Sequence, residues 1–131
     1  MSGYVLDASV AVAALTEPGS GAAGLLADTD AIFQAPSIFD VEVISALRGL
    51  VRGGKYDRAA AGKLIADLII LPVERWHASS LLPRIWELRE NLTAYDAAYV
   101  ALAEMTGATL LTGDERITAA PAPRCEIRII N

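Results

Sequence analysis

Residues 91–115, NLTAYDAAYVALAEMTGATLLTGDE, decide the fold. Thr93 stands where a helix N-cap belongs, and Asp96 follows at the capping-box spacing. Residues 97–104 are mostly good helix formers, and Gly107 supplies a C-terminal stop. Thr109-Leu110-Leu111-Thr112 is a short apolar run, after which Gly113-Asp114 turns the chain away. A helix therefore leads directly into a buried strand. One carboxylate opens the helix, and a second lies just beyond the strand. In an open α/β sheet, ligands bind at that C-terminal edge.

The same grammar recurs elsewhere. Gly3-Tyr4-Val5-Leu6 reads as a central strand ending on Asp7, with Ser9 capping a helix over residues 10–15. Residues 18–21 form a turn, 22–27 a helical piece, and 31–35 a second strand closed by Pro36. Ser37 is expected to cap a helix over residues 38–51. Its stripe is Phe39, Val43, Leu47 and Leu50, and Gly53-Gly54 ends it. A further helix spans residues 57–69, with Leu64 and Leu68 facing inward. Pro72-Val73-Glu74 reads as an edge strand, and residues 77–88 as helix in two pieces with Pro83 near a start. Ile127-Arg128-Ile129-Ile130 completes the set. Strands alternating with helices predict one α/β domain over residues 1–131, with a parallel sheet of four to five strands between helical layers.

Composition narrows the function. Hydrophobic residues make up 53% of the chain and charged residues 21%, which excludes disorder and favours well-covered strands. The net charge of −5 excludes a broad basic face for nucleic acid, so a polyanion would have to be met locally or through a cation. The single Cys125 cannot form an internal disulfide and gives no metal-ligand spacing. The N-terminus lacks the pattern of a signal peptide, and the most apolar stretch is too short to span a bilayer. A cytoplasmic protein without membrane association is expected.

Four acids lack a ready surface explanation. Asp7 ends a buried strand, although strand-end aspartates often serve as caps. Glu42 has Ile38, Phe39, Ser45 and Ala46 as its helical neighbours and no base among them. Asp96 also lacks a basic helical neighbour, while its first-turn position suits the helix dipole. Asp114 follows a strand, where turn aspartates are common. If the four converge, their repulsion calls for protonation or a cation. Carboxylate oxygens suit Mg²⁺ or Mn²⁺, which would also let an acidic protein hold a phosphodiester.

At this point the residues match a known family. Val5-Leu6-Asp7-Ala8-Ser9, a glutamate on the helix after Pro36, residues 92–103 (LTAYDAAYVALA) and Leu110-Leu111-Thr112-Gly113-Asp114 together resemble a PIN-domain ribonuclease. More narrowly, the chain resembles a VapC-type toxin of a toxin–antitoxin pair. The resemblance covers essentially the whole chain, and the Thr-x-Tyr-Asp-Ala-x-Tyr run is its most specific part. It implies a three-layer αβα fold and a metal-dependent endoribonuclease whose catalytic and metal-binding quartet is Asp7, Glu42, Asp96 and Asp114. Ser9, and more loosely Thr93 and Thr112, carry over as hydroxyls that orient ligands or substrate. Implied partners are an RNA substrate such as tRNA or rRNA, a VapB-like antitoxin and a second copy of the chain. Only Glu115 is available as a nearby additional acid after the fourth.

Other readings remain open from the residues alone. A dehalogenase-type phosphatase would want Asp-x-Asp after the first strand, where this chain has Asp7-Ala8-Ser9. A receiver domain would want adjacent acids there and a late lysine, yet no lysine follows Lys63. A binding module without catalysis is a third alternative. His77 is expected on the surface or rim, and Trp76 and Trp86 are expected to pack. Arg48, Arg52, Lys55 and Arg58 form a basic cluster at a helix end, suited to RNA phosphates or simply to the helix dipole.

Overall fold

The structure, a computed structural model, describes residues 2–130. Five parallel strands lie in the order β3-β2-β1-β4-β5: β1 (Ser2–Leu6), β2 (Ala31–Pro36), β3 (Val73–Trp76), β4 (Thr109–Thr112) and β5 (Ile127–Ile129). Val5 stands opposite both Gln34 and Leu110, so β1 is the central strand. The helices are α1 (Ala8–Thr16), α2 (Gly21–Leu26), α3 (Ile38–Arg52), α4 (Arg58–Ile70), α5 (Leu82–Glu87), α6 (Ala94–Thr106) and α7 (Glu115–Ala119), with a 3₁₀ turn at Ala78–Leu81. The expected αβα sandwich with a parallel sheet is borne out. The chain builds outward from β1 to β3, then crosses back to β4 on the other side of β1. That reversal puts a crevice at the C-terminal ends of β1 and β4.

Burial explains the central place of α6. Every residue from Ala97 to Ala103 is buried, and a helix that is apolar all round must be enclosed. Tyr99, Leu102, Leu110 and Leu111 are among its largest enclosed side chains and those of β4. Fully burying one such side chain is worth about 1.5–3 kcal/mol, so packing holds α6 in place more firmly than propensity does. Thr93 caps it as expected, its hydroxyl accepting from the Asp96 amide at 3.2 Å. Gly107 ends it at φ +70°, a conformation in which other residues are strained. Arg84 on α5 fixes the outer side of α6 through Glu104, at 2.7 and 3.1 Å.

Several local expectations need correction. Ser9 does not cap α1. Asp7 does, its Oδ1 accepting from the Val10 amide at 3.3 Å, which releases the Ser9 hydroxyl for other contacts. Ser37 has helical backbone angles and makes no side-chain cap, because α3 starts directly from the end of β2. Residues 115–119 form α7, capped by Asp114, where no helix was expected; one short turn carries too little periodicity to read. Trp76 is half-buried against the core, but Trp86 is 67% exposed beneath the Arg89 guanidinium, at 4.4 Å from the ring centroid. His77 is exposed, as expected, and caps the 3₁₀ turn.

Candidate functional site

The C-terminal edge of the sheet gathers the polar groups that the core excludes. Asp7 and Thr112 are the buried polar side chains among the described residues, and they meet where β1 and β4 end. Both Asp7 oxygens are engaged. Ser9 donates to Oδ1 at 2.5 Å, and the Thr112 hydroxyl donates to Oδ2 across 105 residues of sequence. Each hydroxyl is itself aligned by an amide from the turn after β4. Gly113 N–H donates to Ser9 Oγ at 2.9 Å, and Asp114 N–H donates to Thr112 Oγ1 at 3.0 Å. Two parallel relays thus run from the β4 turn through a hydroxyl to one carboxylate, and such chains polarise one another. A Cβ at Gly113 would stand 3.2 Å from Ser9 Oγ, so a larger residue would push the serine by a few tenths of an ångström.

Glu42 approaches from α3. Its Oε1 accepts from the Tyr99 hydroxyl of α6 at 2.6 Å. Asp96 projects from the first turn of α6, beside a cavity of about 220 Å³ lined by Asn91, Leu92, Thr93, Asp96, Arg116 and Ile117. Asp114 caps α7 and turns its carboxylate onto Arg116, whose Nε lies at 3.0 and 3.2 Å and whose second nitrogen lies at 2.7 Å.

The electrostatics tie the four acids to one region. Burial pushes Asp7 above the ordinary carboxylate range, outweighing its hydroxyl and amide donors. Glu42 is raised by burial first; the Tyr99 hydroxyl opposes this, and the charges of Asp96 and Asp7 add to it. Asp96 is raised by burial and then by Asp114. Asp114 is lowered, chiefly by its hydrogen bonds from Arg116. Tyr99 is pushed well above its usual range by burial and by Glu42, so it remains a donor.

Glu42 is raised by both Asp7 and Asp96, and Asp96 by Asp114, so the four acids are linked in series along this edge, with Ser9 and Thr112 on Asp7. Thr93 accepts from the Asp96 amide and its hydroxyl opposes the rise of the Asp96 carboxyl, but it makes no hydrogen bond to Asp7. Two contributors escape sequence reading. Tyr99 holds Glu42 over 57 residues, and its place in the Thr-x-Tyr-Asp-Ala-x-Tyr run was the available signal. Arg116 clamps Asp114, and its spacing of two from an acid gives little to read. As an all-oxygen donor set, the quartet suits a hard divalent ion. Among the described residues, no three His, Cys, Asp or Glu side chains are already closed into an ion-binding cluster. The contacts explain this: Asp114 is turned to Arg116 and Glu42 to Tyr99. Asp7 is buried and Glu42, Asp96 and Asp114 are half-buried, so closing them on an ion requires Glu42 and Asp114 to turn from these partners.

Comparison with known proteins points the same way. A family model described as the PIN domain matches residues 4–123. Ribonuclease VapC1 of Mycobacterium tuberculosis is 40% identical over 134 aligned residues that cover 99% of each chain. Among solved structures, PAE2754 from Pyrobaculum aerophilum superposes with a TM-score of 0.73 at 23% identity, covering 96% of this chain and 83% of that one. VapBC2 from Rickettsia felis, solved bound to a DNA fragment from its promoter, gives 0.71 at 16% identity, covering 98% and 99%.

Proposed function

The chain belongs to the PIN-domain family, among relatives named VapC, and on that premise we propose that it is the endoribonuclease toxin of a VapBC-type toxin–antitoxin pair. The proposal takes residues 1–131 as one PIN domain acting on RNA phosphodiesters with Mg²⁺ or Mn²⁺. The observation that carries it is the doubly relayed, buried Asp7, with Glu42 coupled to it and to Asp96, and Asp96 coupled to Asp114. Asp7, Glu42, Asp96 and Asp114 would hold the ion. When bound, the ion lowers the pKa of a coordinated water and stabilises charge on the phosphoryl oxygens.

The chain's own residues do the positioning. Ser9, Thr112 and the Val10 amide hold Asp7 in one orientation. Tyr99 does the same for Glu42. Asp96, whose carboxylate is raised by burial and by Asp114, has the basicity to take a proton from attacking water. Water attack does not use the RNA 2′-hydroxyl, so products would end in a 5′-phosphate and a 3′-hydroxyl.

Partners follow from the same reading. Val41, Ile44, Ile65, Ile69 and Ile70 are exposed on α3 and α4, beside a groove of about 500 Å³ that also includes Asp40 and Arg75. Such a face supports protein docking, by a VapB-type antitoxin or a second copy of the chain. No described helix is long and apolar enough to cross a membrane, which is compatible with the cytoplasmic placement proposed here.

The test is end-mapping of cellular RNA after brief induction, with Asp96→Asn as control and with purified protein assayed in Mn²⁺ and in EDTA. The proposal expects cuts at defined RNA sites, lost in Asp96→Asn and in EDTA. Cleavage by Asp96→Asn at the parental rate would end it. Hydrolysis of a small phosphate ester in preference to RNA would favour a phosphatase.

A further inference from the structure

The fourth acid of the quartet already has a cation, and that cation belongs to the chain. Arg116 grips Asp114 with a side-on fork and adds its own backbone amide, at 2.9 Å to Oδ1. Both Asp114 oxygens are thereby engaged. An ion can take this carboxylate only as the guanidinium gives it up. The exchange is easy on physical grounds: the Arg116 side chain is 89% exposed, and exposed ion pairs contribute little to stability. Arg116 also lines the cavity that holds Asn91, Thr93 and Asp96. Once turned from Asp114 it faces a recess open to solvent at the catalytic edge. A guanidinium there matches a phosphate oxygen pair by geometry and charge. In a protein of net charge −5, a cation at this place is also the local means of meeting a polyanion.

We infer that Arg116 is an exchangeable counter-ion: it neutralises Asp114 in the ion-free protein and, when a divalent ion takes Asp114, turns onto an RNA phosphate in the adjoining cavity. The inference rests on the nuclease reading above and assigns a substrate-binding group to that site. It also makes a specific trade. Arg116 opposes ion binding in the free protein and supports RNA binding in the loaded one, so removing it moves the two affinities in opposite directions.

The experiment compares the full parental chain with Arg116→Ala and Arg116→Lys. Mn²⁺ affinity is measured by calorimetry without RNA. Affinity for a labelled single-stranded RNA is then measured by anisotropy across a salt series with Ca²⁺ as the ion, over times in which a gel shows the RNA uncut. Arg116→Ala should bind Mn²⁺ several-fold more tightly. Its RNA affinity should fall, and the slope of log affinity against log salt should flatten by about 0.7, the value for one phosphate contact on a single strand. Arg116→Lys should keep the salt slope while losing the fork to Asp114. Equal or weaker Mn²⁺ binding by Arg116→Ala would overturn the inference, as would an unchanged salt slope. Circular dichroism of each variant separates these outcomes from misfolding. Failure of the nuclease reading would show instead as parental protein that binds Mn²⁺ and leaves RNA intact.

Discussion

Two strand ends in this molecule use one local design and reach opposite electrostatic states. At the end of β1, Asp7 caps α1; at the end of β4, Asp114 caps α7. Each acid follows an apolar run and turns the chain into a helix. Asp7 is only 8% exposed, and its oxygens are held by two neutral hydroxyls, so burial wins and its proton affinity rises. Asp114 lies at the rim, where Arg116 wins and its proton affinity falls. Neutral donors fix a carboxylate without discharging it, whereas a guanidinium discharges it. The first arrangement keeps an unneutralised charge in a set position, which suits a permanent ion ligand. The second suits a ligand that is engaged last.

This contrast ranks the substitutions. Asp7→Asn should lower RNA cleavage at least about a hundredfold with the circular dichroism spectrum unchanged, since the Asn oxygen can keep the cap and the Ser9 contact while its amide donates to Thr112 Oγ1. Asp114→Asn should cost no more than about tenfold. Equal losses in the same assay would break the distinction between the two strand ends. Thr112→Val removes the donor to Asp7 and the acceptor for the Asp114 amide, so ion affinity measured by calorimetry should fall about 10–100-fold. Tyr99→Phe frees Glu42 from its one hydroxyl donor while keeping the ring in the core, and a loss of about tenfold is expected in the same titration. Parental affinity in Tyr99→Phe would remove Tyr99 from the account.

The smallest effect is on stability. Asp7, Glu42 and Asp96 are all raised, so the folded state binds more protons than the unfolded state as pH falls from neutral. Their combined contribution is complete below the ordinary carboxylate range and is lost as pH rises through their raised values. Melting temperature in EDTA should therefore climb as pH is lowered from neutral toward that range. Asp114 has the opposite sign, and its contribution is lost only as pH falls through its depressed value. Asp7→Asn should flatten the climb; an equally steep profile in that variant would place the buried charge elsewhere.

The elements of the fold were legible because their signals are local. Thr93 with Asp96, Gly107 as a stop, and the apolar run at residues 109–112 each lie within a few residues of what they determine. The four acids were legible as a group because they lacked basic neighbours along their own helices or followed strands. The contacts that orient them were not. Thr112 meets Asp7 across 105 residues and Tyr99 meets Glu42 across 57, distances over which periodicity carries no information. Ser9 was misread for a related reason: it and Asp7 are both good caps, and only the Gly113 amide shows that the serine is needed elsewhere. Trp86 was misread because a large aromatic side chain usually packs, and nothing in its neighbours reveals that α5 turns it outward.

The central claim is that these carboxylates share one ion at the crevice between β1 and β4. Anomalous diffraction from crystals grown with Mn²⁺ tests it most directly. The account predicts a peak within reach of the Asp7 carboxylate, with Asp96 and Glu42 turned toward it directly or through water, and its disappearance in Asp7→Asn crystals. Mn²⁺ bound elsewhere on the chain, with the crevice vacant at saturating ion, would contradict it.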